Sequence, residues 1–482
     1  MQFNSYLFIL LFLPISVIAY FLCNKINKLA GKILIILASA LFYMYDDWKV
    51  GIILGISLLI NYGFAQLVSK SKRFNRLYMA IPVVINIGLL LYFKYTNFAI
   101  SNINVWFERD IALRDIILPL GISFFTFQQI AYIVATFKKE LENTSVVDYL
   151  AYILYFPKIL MGPLADPSDF IKQLNDSDSK KVNWDNIAAG IQIFCFGLFK
   201  KVMLADIFAK AVMWGFANFD AATSMDWILV MLFYTFEIYF DFSGYSDMAV
   251  GTSLMFNITL PMNFDSPYKA VSVRDFWKRW HMSLTKFFTK YIYIPLGGSK
   301  KGKFFTYLNT LIVFTISGIW HGANWTFILW GILYGLLMIL DRVFEEYEKK
   351  VFEPARWMVT FSIINVLWLL FRSNSIQEWK SILKTILQFQ NTVVSNGLIE
   401  VFKLPETTLL ANIFHINGIV DGCRGFWMII YIISSLIICL IPDNNYRKIR
   451  RLTAITMVLA FIAFVWGFIC LSSESVFVYF NF

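Results

Sequence analysis

Long apolar runs recur from one end of this chain to the other, separated by short polar joints. They fall at 6–22, 33–45, 50–68, 79–98, 116–137, 149–162, 187–214, 226–242, 304–320, 325–340, 356–371, 424–441 and 452–471. A helix needs about 20 apolar residues to cross a bilayer core. Several runs are shorter than that, so some helices are expected to be tilted, re-entrant or buried by neighbours. The expectation is an all-α integral membrane fold with about 11–13 membrane segments. No internal repeat or inter-domain linker interrupts it, so residues 1–482 are read as one domain. The composition agrees: 58% of residues are hydrophobic and 15% charged, against roughly 25% charged in an average soluble domain.

The charges sit in the joints. Lys25, Lys28 and Lys32 follow the first run, Asp46 and Asp47 the second, and Lys70, Lys72, Arg73 and Arg76 the third. Lys138 and Lys139 follow the fifth. Basic joints stay on the cytoplasmic side, so the Lys25 joint is expected there and the N-terminus outside. The net charge of +10 is explained by these joints, which argues against nucleic-acid binding. The N-terminal run lacks a basic leader and a small-residue cleavage site, and is read as a retained span. The five cysteines form no CxxC pair, so no metal site or disulfide framework is expected.

The densest basic stretch is 264–303, taken as a cytoplasmic loop. It holds Lys269, Arg274, Lys278, Arg279, Lys286, Lys290, Lys300, Lys301 and Lys303, interleaved with Trp277, Trp280, Phe276, Phe287 and Phe288. Two readings fit: a surface lying on anionic lipid heads, or a mouth for a phosphate-bearing substrate. Counting spans outward from it places His321 near the outer face. The same count puts the tail 472–482 outside, and makes 372–423 an outer amphipathic cap. The GGSKKGK segment at 297–303 imitates part of a nucleotide-binding loop, but Phe304 stands where a magnesium-binding hydroxyl is needed.

Three histidines occur in the chain. Ionisable side chains near bilayer depth are costly and mark functional sites by default, and histidine is suited to moving protons near neutral pH. His281 lies in RDFWKRWHMSL and His321 in SGIWHGANW, each directly after a tryptophan. Around His321, Trp320 and Trp325 suit a narrow, dry passage, and Asn324 offers donors and an acceptor. In DFSGYSDMAVG at 241–251, Asp241 and Asp247 need a base of 264–303 or a polar cavity as company; pairing is the expected role of Asp241. His415 has no polar company and is read as structural. No nucleophile elbow is present.

YFDFSGYSDMAVG, NFDSPYKAVSVRDFWKRWHMSLTKFFTKYIYIPLGG and SGIWHGANWTFILWG together resemble the membrane-bound O-acyltransferase family, in its bacterial branch of polysaccharide O-acetyltransferases. LPLGISFFTFQQIAYIV (118–134), FPKILMGPLADPSDF (156–170) and both termini extend the resemblance over nearly the whole chain. It implies a multi-helix membrane fold with a central tunnel, in a bacterial cytoplasmic membrane. His321 matches the family's catalytic histidine and His281 the second histidine of the branch. The donor implied is acetyl-CoA, with no bound cofactor. Its phosphates would meet Lys278, Arg279, Lys300, Lys301 and Lys303. The tail motif implies that Tyr479, flanked by Phe477 and Phe480, passes the acetyl group to an extracytoplasmic, esterase-like partner protein, which acetylates a polysaccharide such as peptidoglycan. Asn481 departs from the family's more usual glutamine. D-alanyl transfer to teichoic acid is the alternative within the family, and transport of an anionic substrate the alternative outside it.

Overall fold

The computed structural model describes residues 1–71, 73–141, 144–177, 180–442 and 452–471, together with Phe477. Among these residues the fold is helical and without strands. Six stretches are long and apolar enough to cross a membrane: Phe8–Ile26, Trp48–Lys70, Asn75–Phe107, Trp184–Ala217, Trp325–Val343 and Glu353–Arg372. Shorter apolar helices occupy Ile122–Phe137, Phe426–Leu440 and Ala454–Ile469, within runs of 18–22 residues in the sequence, whereas the shorter runs 325–340 and 356–371 extend into full-length spans. The chain packs as two compact units.

The first unit comprises Met1–Leu198, Tyr245–Asn263 and the described part of Ile449–Phe482. It holds α1 (Leu13–Ile26), α2 (Lys28–Met44), α3 (Trp48–Lys70), α4 (Asn75–Phe107) and α5 (Ile122–Phe137). Polar side chains pin α3, α4 and α5 together: Asn61 donates to Gln129 at 2.6 Å, Ser57 donates to it at 2.9 Å, and Asn86 donates to Asn61 at 2.7 Å. Such bonds supply attraction where apolar contacts with lipid and with protein are nearly equivalent.

The run at 149–162 is broken. The helix α6 (Val146–Leu154) stops before Tyr155, whose ψ is 105°, and α7 (Phe156–Ile159) restarts with Pro157 in its first turn. The turn brings two of the sequence motifs into contact, because a Cβ on Gly121 would lie 2.8 Å from the Ile159 carbonyl oxygen. Gly121 has φ +74°, which glycine adopts without strain. After α8 (Pro167–Asn175) comes α9 (Trp184–Phe199). There Gly190 meets Gly251 so closely that a Cβ on either would lie 2.5 Å from the other's carbonyl oxygen.

The second unit comprises Phe199–Gly244 and Phe264–Lys448. It begins with a wide turn at Lys200–Ala205, followed by α10 (Asp206–Ala217) and residues 224–244 of α11 (Ser224–Met255). The basic stretch 264–303 is built from short pieces, α12 (Val273–Arg279) and α13 (Met282–Phe288), the latter continued by a wide turn at Thr289–Tyr293. Two nineteen-residue helices follow, α14 (Lys303–His321) and α15 (Trp325–Val343). Then come α16 (Glu345–Glu348), α17 (Glu353–Arg372) and the strongly amphipathic α18 (Ile376–Gln388). The helices α19 (Asn396–Glu400), α20 (Pro405–Ile413) and α21 (Asn417–Gly422) give the segment 372–423 its helical content. The last helices are α22 (Phe426–Leu440) here and α23 (Ala454–Ile469) in the first unit.

Candidate active site

His321 is the last residue of α14, and its sequence dictates the stop. Gly322 is extended, and Asn324 caps the next helix by accepting the Thr326 N–H at 3.1 Å. The Asn324 amide also donates to the Asn374 carbonyl at 2.8 Å. Asn324 therefore fixes the corner between α14 and α15. A Cβ on Gly322 would lie 2.1 Å from the Phe327 ring, so a larger residue at this corner requires that buried ring to move.

The His321 side chain is almost wholly enclosed, with 4% exposure. Its imidazole lies 4.9 Å from Trp320, 5.2 Å from Trp330 and 5.2 Å from Phe371, between ring centroids. All three contacts are edge-to-face, the arrangement ring quadrupoles favour. Trp330 in turn stacks on Trp368 of α17 at 5.9 Å. Residues from α14, α15 and α17 thus build one aromatic box.

His281 stands at the break between α12 and α13. Ser272 caps α12 by accepting the Asp275 N–H, and the helix ends at Trp280. His281 then takes a left-handed conformation, φ 43° and ψ 51°, uncommon for a residue with a Cβ. Its ring meets Phe242 edge-on at 4.7 Å and Trp320 at 6.4 Å. Trp320 is therefore a neighbour of both histidines. His281 is 1% exposed, and neither ring nitrogen has a hydrogen-bond partner among the described residues. Burial pushes its pKa down to about 3, which leaves the ring neutral at physiological pH. A neutral, unpartnered imidazole is able to accept a proton or to receive a substrate's hydrogen bond.

Asp241 is paired, but its base does not come from 264–303. Lys201 reaches it at 2.7 Å and also holds Asp206 at 2.8 Å. Lys201 and Asp241 are each 1% exposed. The wide turn at Lys200–Ala205 closes with the Asp206 N–H donating to the Lys201 carbonyl, and it sets both residues of the pair on one side. Hydropathy had absorbed Lys201 into the run 187–214. The signal that finds it is the rule already applied to the histidines: a basic residue inside an apolar run needs a partner or a task. Glu237 lies one helical turn before Asp241, is buried, and keeps one carboxyl oxygen without a partner among the described residues.

The five bases expected to meet an anionic donor differ in availability. Lys278, Lys300, Lys301 and Lys303 are exposed. Arg279 is half-buried, bonds Asp275 at 2.9 Å and donates to the Asp265 carbonyl at 3.4 Å. Its charge is partly neutralised locally. Tyr479 lies outside the described residues. Phe477 of the same motif is buried in the first unit, edge-on to Tyr245 at 4.8 Å.

A model of the membrane-bound O-acyltransferase family matches residues 89–373. The chain is 34% identical to a peptidoglycan O-acetyltransferase of Helicobacter pylori, over 100% of this chain and 97% of that protein. It is 34% identical to a probable alginate O-acetylase, AlgI, of Pseudomonas aeruginosa, covering 79% of this chain and 74% of that one. A teichoic acid D-alanyltransferase of Bacillus subtilis is 30% identical over 52% of this chain and 66% of its own. The matched region holds His281, His321 and the aromatic box around them, and one relative covers the chain from end to end. The chain belongs to the membrane-bound O-acyltransferase family, as a multi-pass acyltransferase.

Proposed function

We propose that this acyltransferase carries an acetyl group from cytoplasmic acetyl-CoA across a bacterial inner membrane for O-acetylation of an extracytoplasmic polysaccharide, peptidoglycan being the acceptor favoured. The observation that carries the reading is the pair of enclosed imidazoles sharing Trp320 as a neighbour. The full-length relative supports the acetyl donor and the peptidoglycan acceptor. The D-alanyltransferase relative aligns with only 52% of the chain, which supports D-alanyl transfer less. Membership in an acyltransferase family sets the transporter reading aside.

The donor's phosphates meet the exposed Lys278, Lys300, Lys301 and Lys303, with Arg279 contributing what Asp275 leaves free. A neutral imidazole at His321 takes the proton of the attacking hydroxyl. That hydroxyl attacks the thioester carbonyl, the C–S bond breaks, and the departing thiolate takes the proton back from the imidazolium. An aromatic enclosure excludes the water that would otherwise compete. Tyr479 is the hydroxyl in a relay. A phenol with a pKa of ~10 needs such a base at neutral pH. The acetyl-tyrosine then donates to the partner protein, whose nucleophile displaces the phenol. A thioester is an activated donor, so no nucleotide hydrolysis is needed.

The test is transfer from radiolabelled acetyl-CoA by the purified protein with its partner present. His321→Ala should slow transfer by about 10²–10⁴-fold. Tyr479→Phe should abolish retention of label on the chain. His281→Asn keeps a residue tolerant of the left-handed corner, and should lower transfer while the fold persists. Unchanged transfer in His321→Ala overturns the base assignment, and unchanged label in Tyr479→Phe overturns the relay. Acetyl-CoA left intact by the wild type with its partner overturns the choice of donor.

A further inference from the structure

A groove of about 740 Å³ runs along the first unit, walled by α1, α9 and α23. Its lining extends from Ile9 to Lys25 on one wall, faces Trp184 and Gln192 on the second, and is closed by Phe461 and Phe464 on the third. At one end of α23 Leu452 packs on Ala189 and Ile193 of α9, and at the other Tyr6, just before α1, donates to the Phe468 carbonyl at 3.2 Å. From Ile9 to Lys25 the helical rise gives a length of about 24 Å. One leaflet contributes roughly half of a ~30 Å hydrocarbon core, so an extended acyl chain fits inside it lengthwise.

The two ends of the groove differ. The Ile9 end is apolar, and the other carries the exposed Lys25. Lys28 follows in the same joint, and Lys180 sits in the field of Lys28 and Lys32, opposed by Asp148 and Asp176. Lys32 is taken by Asp148; Lys25 itself lines the groove, with Lys28 and Lys180 adding positive charge close by. One further polar side chain lines the wall. Gln192 is 7% exposed, and its amide oxygen has no partner among the described residues. It lies eight residues along α9 from Trp184, and the chain before Trp184 runs close to the Lys28 joint, so Gln192 is set back from the basic end. A glycerophospholipid presents groups in that order: a phosphate at the rim, ester and hydroxyl groups beneath it, then hydrocarbon. Which amide atom faces the ligand is free to invert.

We propose that this groove is a binding site for one anionic phospholipid, with its phosphate on the Lys25 rim and an acyl chain lying between α1, α9 and α23. The choice of an anionic head follows from the basic rim, since each lysine near a membrane surface favours anionic over neutral lipid. The lipid completes the lateral packing of α23, which precedes the C-terminal tyrosine motif.

The test is native mass spectrometry of the full-length protein from mixed micelles holding chain-matched phosphatidylglycerol and phosphatidylcholine. The wild type should retain one phosphatidylglycerol in preference to phosphatidylcholine. Lys25→Gln should reduce that preference about fivefold without loss of binding. Ala188→Trp, which fills the wall, should release both lipids, and circular dichroism checks that it remains helical. Equal retention of the two lipids by the wild type overturns the anionic site. Unchanged retention in a folded Ala188→Trp protein places the lipid elsewhere and overturns the groove. A co-purifying protein mass in place of lipid, lost in Ala188→Trp, assigns the groove to a partner's helix and overturns the proposal.

Discussion

Lys201 is a fully enclosed base of the second unit. It joins two carboxylates, Asp206 at 2.8 Å and Asp241 at 2.7 Å, and both it and Asp241 are enclosed. Removing one partner of a buried pair leaves an uncompensated charge, a loss of about 3–5 kcal/mol. Lys201→Ala should therefore lower the midpoint of thermal unfolding in detergent sharply. Lys201→Met combined with Asp241→Leu removes the two enclosed charges and leaves only the partly exposed Asp206 without its lysine, so it should recover part of the loss. A single Lys201→Ala variant as stable as the wild type would show that the pair carries no stability. The sequence alone revealed that Asp241 needed company. It did not reveal whose, because Lys201 sits 40 positions away inside an apolar run, and nothing in local periodicity ties it to α11. His281 and His321 were legible for the opposite reason: histidines are rare here, each of these two follows a tryptophan, and each stands at the end of an apolar or aromatic segment.

Elements place those residues by close backbone approach. A Cβ on Gly318 would sit 2.3 Å from the Phe327 carbonyl oxygen, and one on Gly331 would sit 2.4 Å from that of Phe314. Small residues let membrane helices pack backbone to backbone, and here they lock α14 against α15 three residues before His321. Backbone atoms cannot yield as a flexible side chain does. Gly318→Val should cost at least about 1–3 kcal/mol in overpacking, displace His321 from Trp330 and lower transfer along with stability. Gly88→Ala is the matching control: no atom lies within 4 Å of its added Cβ, and alanine is the better helix former by up to about 1 kcal/mol. Equal stability of Gly318→Val and the wild type would show that α14 and α15 separate without penalty. Helix positions were readable from apolar runs, and the end of α14 from the end of the run 304–320. The pairing was not, because a glycine in an apolar run reads the same whether it faces a neighbouring backbone or lipid. The break at Tyr155 had a signal in Pro157, two residues on, but the apolar run hides it because hydropathy carries across both the proline and Lys158.

At the scale of the whole molecule, the reaction proposed is vectorial. Donor and acceptor are placed on opposite sides of a membrane, and the basic joints and the C-terminal tail are assigned to opposite faces by charge alone. The aromatic box was only partly legible from sequence, because Trp368 and Phe371 come from α17, well after the WHGANW segment, and only the folded chain brings them to His321. The sidedness has its own test. In sealed inside-out vesicles, labelled acetyl-CoA added outside meets the face assigned as cytoplasmic. If Tyr479 accepts the acetyl group on the far side, label on the tail should resist a protease added outside and become digestible once detergent opens the vesicles. His321→Ala should leave the tail unlabelled while the protease pattern stays the same, which separates lost chemistry from lost topology. Label that is digested in sealed vesicles would place the tail beside the donor. Transfer would then occur on one face, and the acetyl group would need another route to an external glycan.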